Sequence, residues 1–259
     1  MKNRKNKVAL ITGASRQAGI GAAIARRLAA DGTDIFITYF RPYDHETGLA
    51  GEENEPFQLL TELRQKGCRA ESLEIDLSNT HAPKQLFDNV EANLGSVNIL
   101  VNNATYSMSD GIKNLTPDGL DKHYAINIRA MALLCAEFVH RYKKSASKND
   151  HGRIINLSSG QSVGPMPGEL AYAATKGAVE AFTVSLSAEV GALGITVNAV
   201  DPGITDTGWI PSELKARWTT EAPMGRVGLP EDAARLICFL ASAEAGWITG
   251  QVIHSRGGL

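Results

Sequence analysis

The strongest constraint on this chain is an alternation that runs from end to end. Short apolar stretches rich in Val, Ile and Leu are each followed by a longer stretch of helical period. Val8–Ile11, Asp34–Tyr39, residues 70–75, 97–101, 153–157 and 195–200, and Val252–Ile253 read as strands. Helices are predicted at roughly 20–31, 57–66, 82–94, 117–143 (broken near its start), 169–190, and from Pro230 to about Ala241. Strands apolar on both sides, alternating with helices, specify one parallel sheet with helices on both faces. The predicted fold class is α/β, a single doubly wound domain of about seven strands over residues 1–259, with no internal repeat and no interdomain linker. Residues 41–56 are polar, with Pro and Gly, and read as a long loop, either solvated or lying over a substrate. Lys143–Asp150 reads as a polar linker, residues 1–6 as a basic tail, and 203–224 as an irregular lid segment with one helical piece.

The first strand runs into Thr12-Gly13-Ala14-Ser15-Arg16-Gln17-Ala18-Gly19-Ile20-Gly21 and then a helix. Strand, glycines and helix in that order let a backbone approach a pyrophosphate at a helix N-terminus. A lone glycine trio also serves as a plain turn. Other chemistry-bearing residues sit at the carboxyl ends of later strands: Asp76-Leu77 after the third, Asn102-Asn103-Ala104 after the fourth, Pro202-Gly203 after the sixth. In a parallel sheet these ends share one crevice, where ligands bind.

Ser159 follows the fifth strand, and Tyr172 and Lys176 lie four apart on the next helix, so they share a face that is otherwise rich in alanine. A phenol ionises near pH 10 and is a poor acid or base at neutrality. An ammonium at ~4–5 Å and an effective dielectric near 20 is worth roughly 3–4 kcal/mol, enough to lower a tyrosine pKa by about 2–3 units. Ser159 would hydrogen-bond a substrate oxygen that gains charge as a hydride reaches its carbon. Alone, Tyr-x-x-x-Lys is also an ordinary surface-helix pattern.

Composition narrows the classes. The apolar fraction of 43% and charged fraction of 21% are ordinary for a globular protein. A net charge of −2 offers no nucleic-acid surface, and no apolar run is long enough to span a bilayer. The basic start leads straight into a strand and does not read as a secretory signal. Cys68, Cys135 and Cys238 suggest neither a disulfide framework nor a zinc site, the histidines are scattered, no metal is expected, and a cytoplasmic setting fits.

Taken together, the glycine loop, Asn-Asn-Ala, the mid-helix Asn127, Ser159, Tyr-x-x-x-Lys and Pro202 to Thr207 stand in the order and at intervals that resemble a short-chain dehydrogenase/reductase of the roughly 250-residue type, including 3-oxoacyl-thioester reductase-like members. The resemblance covers nearly the whole chain, to Thr249-Gly250-Gln251. It implies a Rossmann-type fold and a catalytic set of Asn127, Ser159, Tyr172 and Lys176. Tyr172 would be the general acid for carbonyl reduction. Lys176 would hold the nicotinamide ribose and lower the tyrosine pKa, and Asn127 would hold a relay water. It also implies cofactor contacts from Gly13, Ser15, Arg16, Gly19, Ile20, Gly21, Asp76, Leu77, Asn103, Ala104, Tyr172, Lys176, Pro202, Gly203, Thr205 and Thr207. Long helices of the family pair between subunits, so a homotetramer or homodimer is expected.

Three departures stand out. Five residues separate Gly13 from Gly19 where the family usually has three, Thr105 replaces the glycine usual after Asn-Asn-Ala, and the 41–56 segment is long. Enoyl reductases of the superfamily also have a longer glycine loop, but typically space the tyrosine and lysine seven apart; the spacing of four here favours carbonyl/alcohol chemistry. The second strand ends in Tyr39-Phe40 rather than a carboxylate, and Arg41 follows. A 2′-phosphate meets no repulsion there, Arg41 can bind it bidentately and Arg16 can add a charge, so NADP(H) is expected over NAD(H). Met108, Gln161, Val163, Met166, Trp209, Ile210, Leu214, Trp218 and Met224 either line an apolar substrate site or fill core and interface. The expected function is hydride transfer between NADP(H) and a small-molecule ketone or secondary alcohol. The alternative is a cofactor-binding regulatory or scaffold protein of the same fold, which would need no proton donor.

Overall fold

The computed structural model describes residues 7–49, 51–145 and 151–258; the basic tail and most of the expected 143–150 linker lie outside them. The described chain forms a seven-stranded parallel sheet in the order β3-β2-β1-β4-β5-β6-β7. The strands are β1 Val8–Ile11, β2 Asp34–Tyr39, β3 Ala70–Glu74, β4 Ile99–Asn102, β5 Gly152–Leu157, β6 Ile195–Asp201 and β7 Val252–His254. The order reverses between β1 and β4, which creates a crevice at the carboxyl ends of those strands. The helices are α1 Ile20–Ala30, α2 Arg41–Glu46, α3 Glu55–Gln65, α4 Ala82–Asn93, α5 Pro117–Tyr124, α6 Met131–Ser145, α7 Leu170–Val190, α8 Ser212–Glu221 and α9 Pro230–Ala241. None is long and apolar enough to cross a membrane.

Side chains alternate across each strand, and the two faces build separate cores. Ala9, Ile11, Ile35 and Ile37 pack under α1, α3 and α9, against Ile24, Leu63 and Ile237. Val8, Leu10, Phe36 and Ile154 pack on the opposite face, against Phe87, Leu134, Phe138 and Val179. All three cysteines are buried and unpaired. Burial pushes the Cys135 and Cys238 thiols up to about 12, so both are inert core residues.

The structure corrects the reading of residues 41–56 as a loop. They begin with α2, and α3 already starts at Glu55. A helix of one and a half turns is not stable alone. It forms here because Pro42 sits in its first turn, Thr47 Oγ1 donates to Tyr43 O at 3.0 Å, Arg41 is buried against Asp44 and Gly51 O, and the Tyr43 hydroxyl donates to Ser107 O across the fold. Such contacts leave no trace in local composition. The acidic end of the segment meets the glycine loop: the Glu55 carboxylate accepts the Gln17 amide, and Arg26 Nη1 donates to Gln17 O at 2.8 Å. The lengthened glycine loop and the long segment after β2 therefore brace each other.

The expected break near residue 117 lies further on. A π-turn at Ala125–Ala130 separates α5 from α6, and α6 continues to Ser145, into the expected linker.

Candidate active site

The glycine loop is held from behind by the β4 end. Thr12 Oγ1 accepts the amides of Asn103 (3.1 Å) and Ala104 (3.0 Å), and Asn103 Nδ2 donates to Thr12 O (2.9 Å) and Gly13 O (2.8 Å). Gly13 has φ +73°, and a Cβ there would lie 2.6 Å from Ala104 Cα. A Cβ on Gly21 would lie 2.8 Å from Gly13 O. Both glycines are thus required for the loop to seat against β4.

In front of this loop lies a cavity of about 850 Å³ lined by Gly13, Ser15, Arg16, Gly19 and Ile20, by Asp76 and Leu77, by Asn103 and Ala104, and by Thr207. Ten of the residues implied by the family resemblance therefore share one wall. The α1 N-terminus opens there, with Gly19 at its cap, and its free amides suit a phosphate. Volume, glycine cradle and helix terminus fit a nicotinamide dinucleotide. Gly21, Pro202, Gly203, Thr205, Tyr172 and Lys176, also expected to contact the cofactor, do not line this cavity. Arg16 closes one side by donating from Nη1 to Thr207 O at 2.9 Å.

Arg41 lies elsewhere. Its guanidinium is buried, 3.4 Å from both Asp44 and Glu53, and donates to Gly51 O at 3.1 Å. It does not line the cavity, whereas Asp44, Glu46 and Tyr43 of α2 do. The physical reason is α2 itself: winding into a helix turns Arg41 onto a carboxylate one turn ahead. Burial raises the Asp44 pKa, with Ser15 and Arg41 opposing.

Tyr43 was not legible as a site residue. Its hydroxyl accepts the Ser107 amide at 3.0 Å and donates to Ser107 O at 3.2 Å, and its ring sits 5.4 Å from that of Tyr106. Glu46 accepts the Tyr106 hydroxyl at 3.3 Å. These contacts fasten α2 to the turn after β4.

Ser159, Tyr172 and Lys176 come together at the β5 end. Ser159 acts on Tyr172 in the sense that favours the phenolate. Lys176 Nζ lies 5.5 Å from the Tyr172 ring centre and donates to Leu157 O at 2.7 Å. Helix α7, which carries the pair, is capped from outside: Asp110 accepts the amides of Leu170 (2.5 Å) and Ala171 (3.0 Å). The electrostatics differ from the sequence expectation. Burial pushes Tyr172 up to about 12, and burial pushes Lys176 down to about 8. Burial is the largest cause for each group, Lys176 is not among the neighbours that move Tyr172, and the amine donates to Leu157 O.

Asn127 sits in the π-turn with its side chain saturated. Oδ1 accepts from Thr105 Oγ1 (3.0 Å) and the Tyr106 amide (2.8 Å); Nδ2 donates to Tyr106 O (2.9 Å) and Thr175 Oγ1 (3.0 Å). It locks the turn after β4 to α7, and Thr105 has a function that a glycine could not supply. π-turns of this kind often mark functional positions.

On the substrate side, Met108, Val163, Trp209, Leu214 and Met224 are exposed. Trp209 and Trp218 rings lie 6.0 Å apart, and Trp209 Nε1 donates to Thr205 O at 2.9 Å.

A family model described as enoyl-(acyl carrier protein) reductase matches residues 13–259. The chain belongs to the short-chain dehydrogenase/reductase family. Within that family, the chain is 51% identical to the uncharacterized oxidoreductase YjdA of Bacillus subtilis, over 100% of this chain and 98% of that protein. It is 32% identical to the 3-oxoacyl-[acyl-carrier-protein] reductase FabG of Staphylococcus aureus, over 99% of each. Among solved structures, a short-chain dehydrogenase/reductase from Serratia marcescens superposes with TM-score 0.85 at 31% identity, covering 98% of each chain. A blue fluorescent protein from a metagenomic library, in complex with NADPH, gives TM-score 0.85 at 34% identity and 99% coverage of each. The chain is thus an oxidoreductase of this family, with a cleft that fits a nicotinamide cofactor.

Proposed function

We propose that this protein transfers a hydride between NADP(H) and a ketone or secondary alcohol, with Tyr172 as the general acid and base. The observation that carries this reading is a cavity of dinucleotide size walled by the glycine loop, Asp76 and Asn103–Ala104, together with Tyr172 and Lys176 one turn apart on α7, the lysine Nζ 5.5 Å from the tyrosine ring centre. When bound, the cofactor supplies or accepts the hydride. Gly13, Ser15, Gly19 and Ile20 would hold its phosphates, Asp76, Leu77 and Ala104 its adenosine, and Lys176 its ribose.

In reduction, Tyr172 gives its proton to the carbonyl oxygen while Ser159 holds that oxygen as charge develops. Burial holds the phenol up at about 12, so it is protonated at neutral pH but a weak donor, and Ser159 is the neighbour that acts to lower it. Lys176 then resupplies the proton. The family resemblance gives Asn127 a relay water, but its side-chain amide is already taken up by Thr105, Tyr106 and Thr175. Two features support a 2′-phosphate: Arg16 on the cavity wall and the NADPH in a related solved structure. The spacing of four between Tyr172 and Lys176 favours carbonyl over C=C chemistry. Assembly as a homotetramer or homodimer through α5–α6 and α7 is part of this reading and is read by sedimentation.

The test follows loss of reduced-nicotinamide absorbance with NADPH and a panel of ketones, including 3-oxoacyl thioesters. Turnover is expected, and Tyr172→Phe should lower it by about 100-fold or more. Cofactor binding without turnover on the panel would instead favour a scaffold protein.

A further inference from the structure

The carboxyl end of β6 carries a buried charge that the chemistry above does not use. Asp201 is fully buried. Oδ1 accepts the Gly203 amide at 2.9 Å, Oδ2 lies 3.0 Å from Arg256 Nη1 and 2.9 Å from His254 Nδ1, and its main-chain oxygen accepts the Ser255 amide at 2.7 Å. Three of these four partners come from the end of β7 or just beyond it. The last strand is therefore fastened to the carboxylate that sets the Pro202–Gly203 turn.

Arg256 touches both loops that flank the reacting centre. A Cβ on Gly203, which has φ +65°, would lie 2.9 Å from Arg256 Cα. A Cβ on Gly160, the neighbour of Ser159, would overlap Arg256 Nη1. Two glycines thus leave room for one arginine to lie between the Ser159 turn and the Gly203 turn, with its charge on Asp201.

The charge has a second consequence. Asp201 acts on Tyr172 through space and opposes its ionisation. Glu169 at the start of α7 and Tyr43 of α2 act in the same sense, Ser159 acts against them, and Lys176 lies over the ring. Arg256 is the permanent cation on Asp201; His254 is a cation only when protonated.

We propose that Arg256 is a positioning residue of this active site, holding the Ser159–Gly160 and Pro202–Gly203 turns in register and neutralising Asp201 behind Tyr172. The inference rests on the reading of Tyr172 as the acid and base. A buried carboxylate stripped of its cation would bear fully on the phenol.

The experiment measures kcat, KM and the ascending limb of the pH profile for alcohol oxidation, in which Tyr172 must lose its proton to act as base. It compares wild type with Arg256→Leu, Arg256→Lys, Asp201→Asn and the double variant Asp201→Asn/Arg256→Leu, each checked for folding by urea unfolding. Arg256→Leu is expected to lower kcat about tenfold and to move the limb alkaline by roughly half a pH unit. Arg256→Lys should restore the limb. Asp201→Asn alone should move it the other way, and the double variant should bring it back to the wild-type position without restoring kcat. A folded Arg256→Leu with an unmoved limb overturns the proposal, as does a double variant whose limb stays displaced. Should Arg256→Leu fail to fold, the limb of Asp201→Asn decides alone: an acid shift supports the proposal and no shift overturns it. Full activity in Tyr172→Phe would instead overturn the underlying reading of Tyr172.

Discussion

Lys176→Met should stabilise this protein at neutral pH while abolishing its turnover. Lys176 is 3% exposed and its pKa is pushed from 10.5 down to about 8 by burial. A depression of that size means that keeping the amine charged in the fold costs about 3 kcal/mol. Below pH 8 both folded and unfolded chains carry the proton, and the full cost is present. Between about 8 and 10.5 the unfolded chain binds more protons than the folded one, so stability rises with pH; above 10.5 the cost is gone.

Methionine has a similar shape and no charge, but loses the 2.7 Å bond to Leu157 O, a loss of about 1 kcal/mol. The variant should therefore be more stable than wild type by about 2 kcal/mol at pH 7 and less stable by about 1 kcal/mol above pH 10.5. Urea unfolding of the two proteins at both pH values measures this, and other titrations cancel in the difference. A variant that is destabilised equally at both pH values would refute the reasoning, because the lysine would then not be paying for its burial.

Three further outcomes follow from the same geometry. Gly13→Ala places a Cβ 2.6 Å from Ala104 Cα at φ +73° and should cost about 2 kcal/mol or more and weaken nucleotide binding, whereas Gly32→Ala, at φ +80° with nothing within 4 Å, should cost about 1 kcal/mol and leave binding intact; urea unfolding and nucleotide titration separate them. Arg16→Ala should lower kcat/KM for NADPH far more than for NADH, while Arg41→Ala, which breaks only contacts within residues 41–53, should lower both alike; steady-state kinetics with each nucleotide decides. Tyr43→Phe removes both hydrogen bonds to Ser107, about 1–2 kcal/mol in all, and should speed amide exchange across residues 41–49 roughly tenfold, as read by mass spectrometry.

The sheet and its crevice were legible because their causes are local and periodic. Asp34–Tyr39 reads as a strand from its own β-branched and aromatic residues, and the structure returns the same bounds. Strand-end motifs converge in a parallel sheet whatever the details, so the order of motifs alone puts the glycine loop, Asp76, Asn103 and Ala104 in one cleft. The Asp201–Arg256 pair was not legible. Asp201 directly follows the predicted strand 195–200, but nothing local marks it, and its partner Arg256 lies 55 positions away.

What only the tertiary structure decided concerns interactions that have no period. Arg41 stood where a phosphate ligand was expected, yet α2, held by Tyr43 and by its own burial, turns it onto Asp44 instead. Lys176 stood one turn from Tyr172, as the spacing required, but spacing carries no information about solvent. Depth beneath the β5 end raises the tyrosine and lowers the lysine, the reverse of what the spacing alone suggested, because desolvation disfavours the charged form of each group. Sequence order determined which residues meet at the strand ends; burial, a sum over the whole packed chain, determined the charge each carries there.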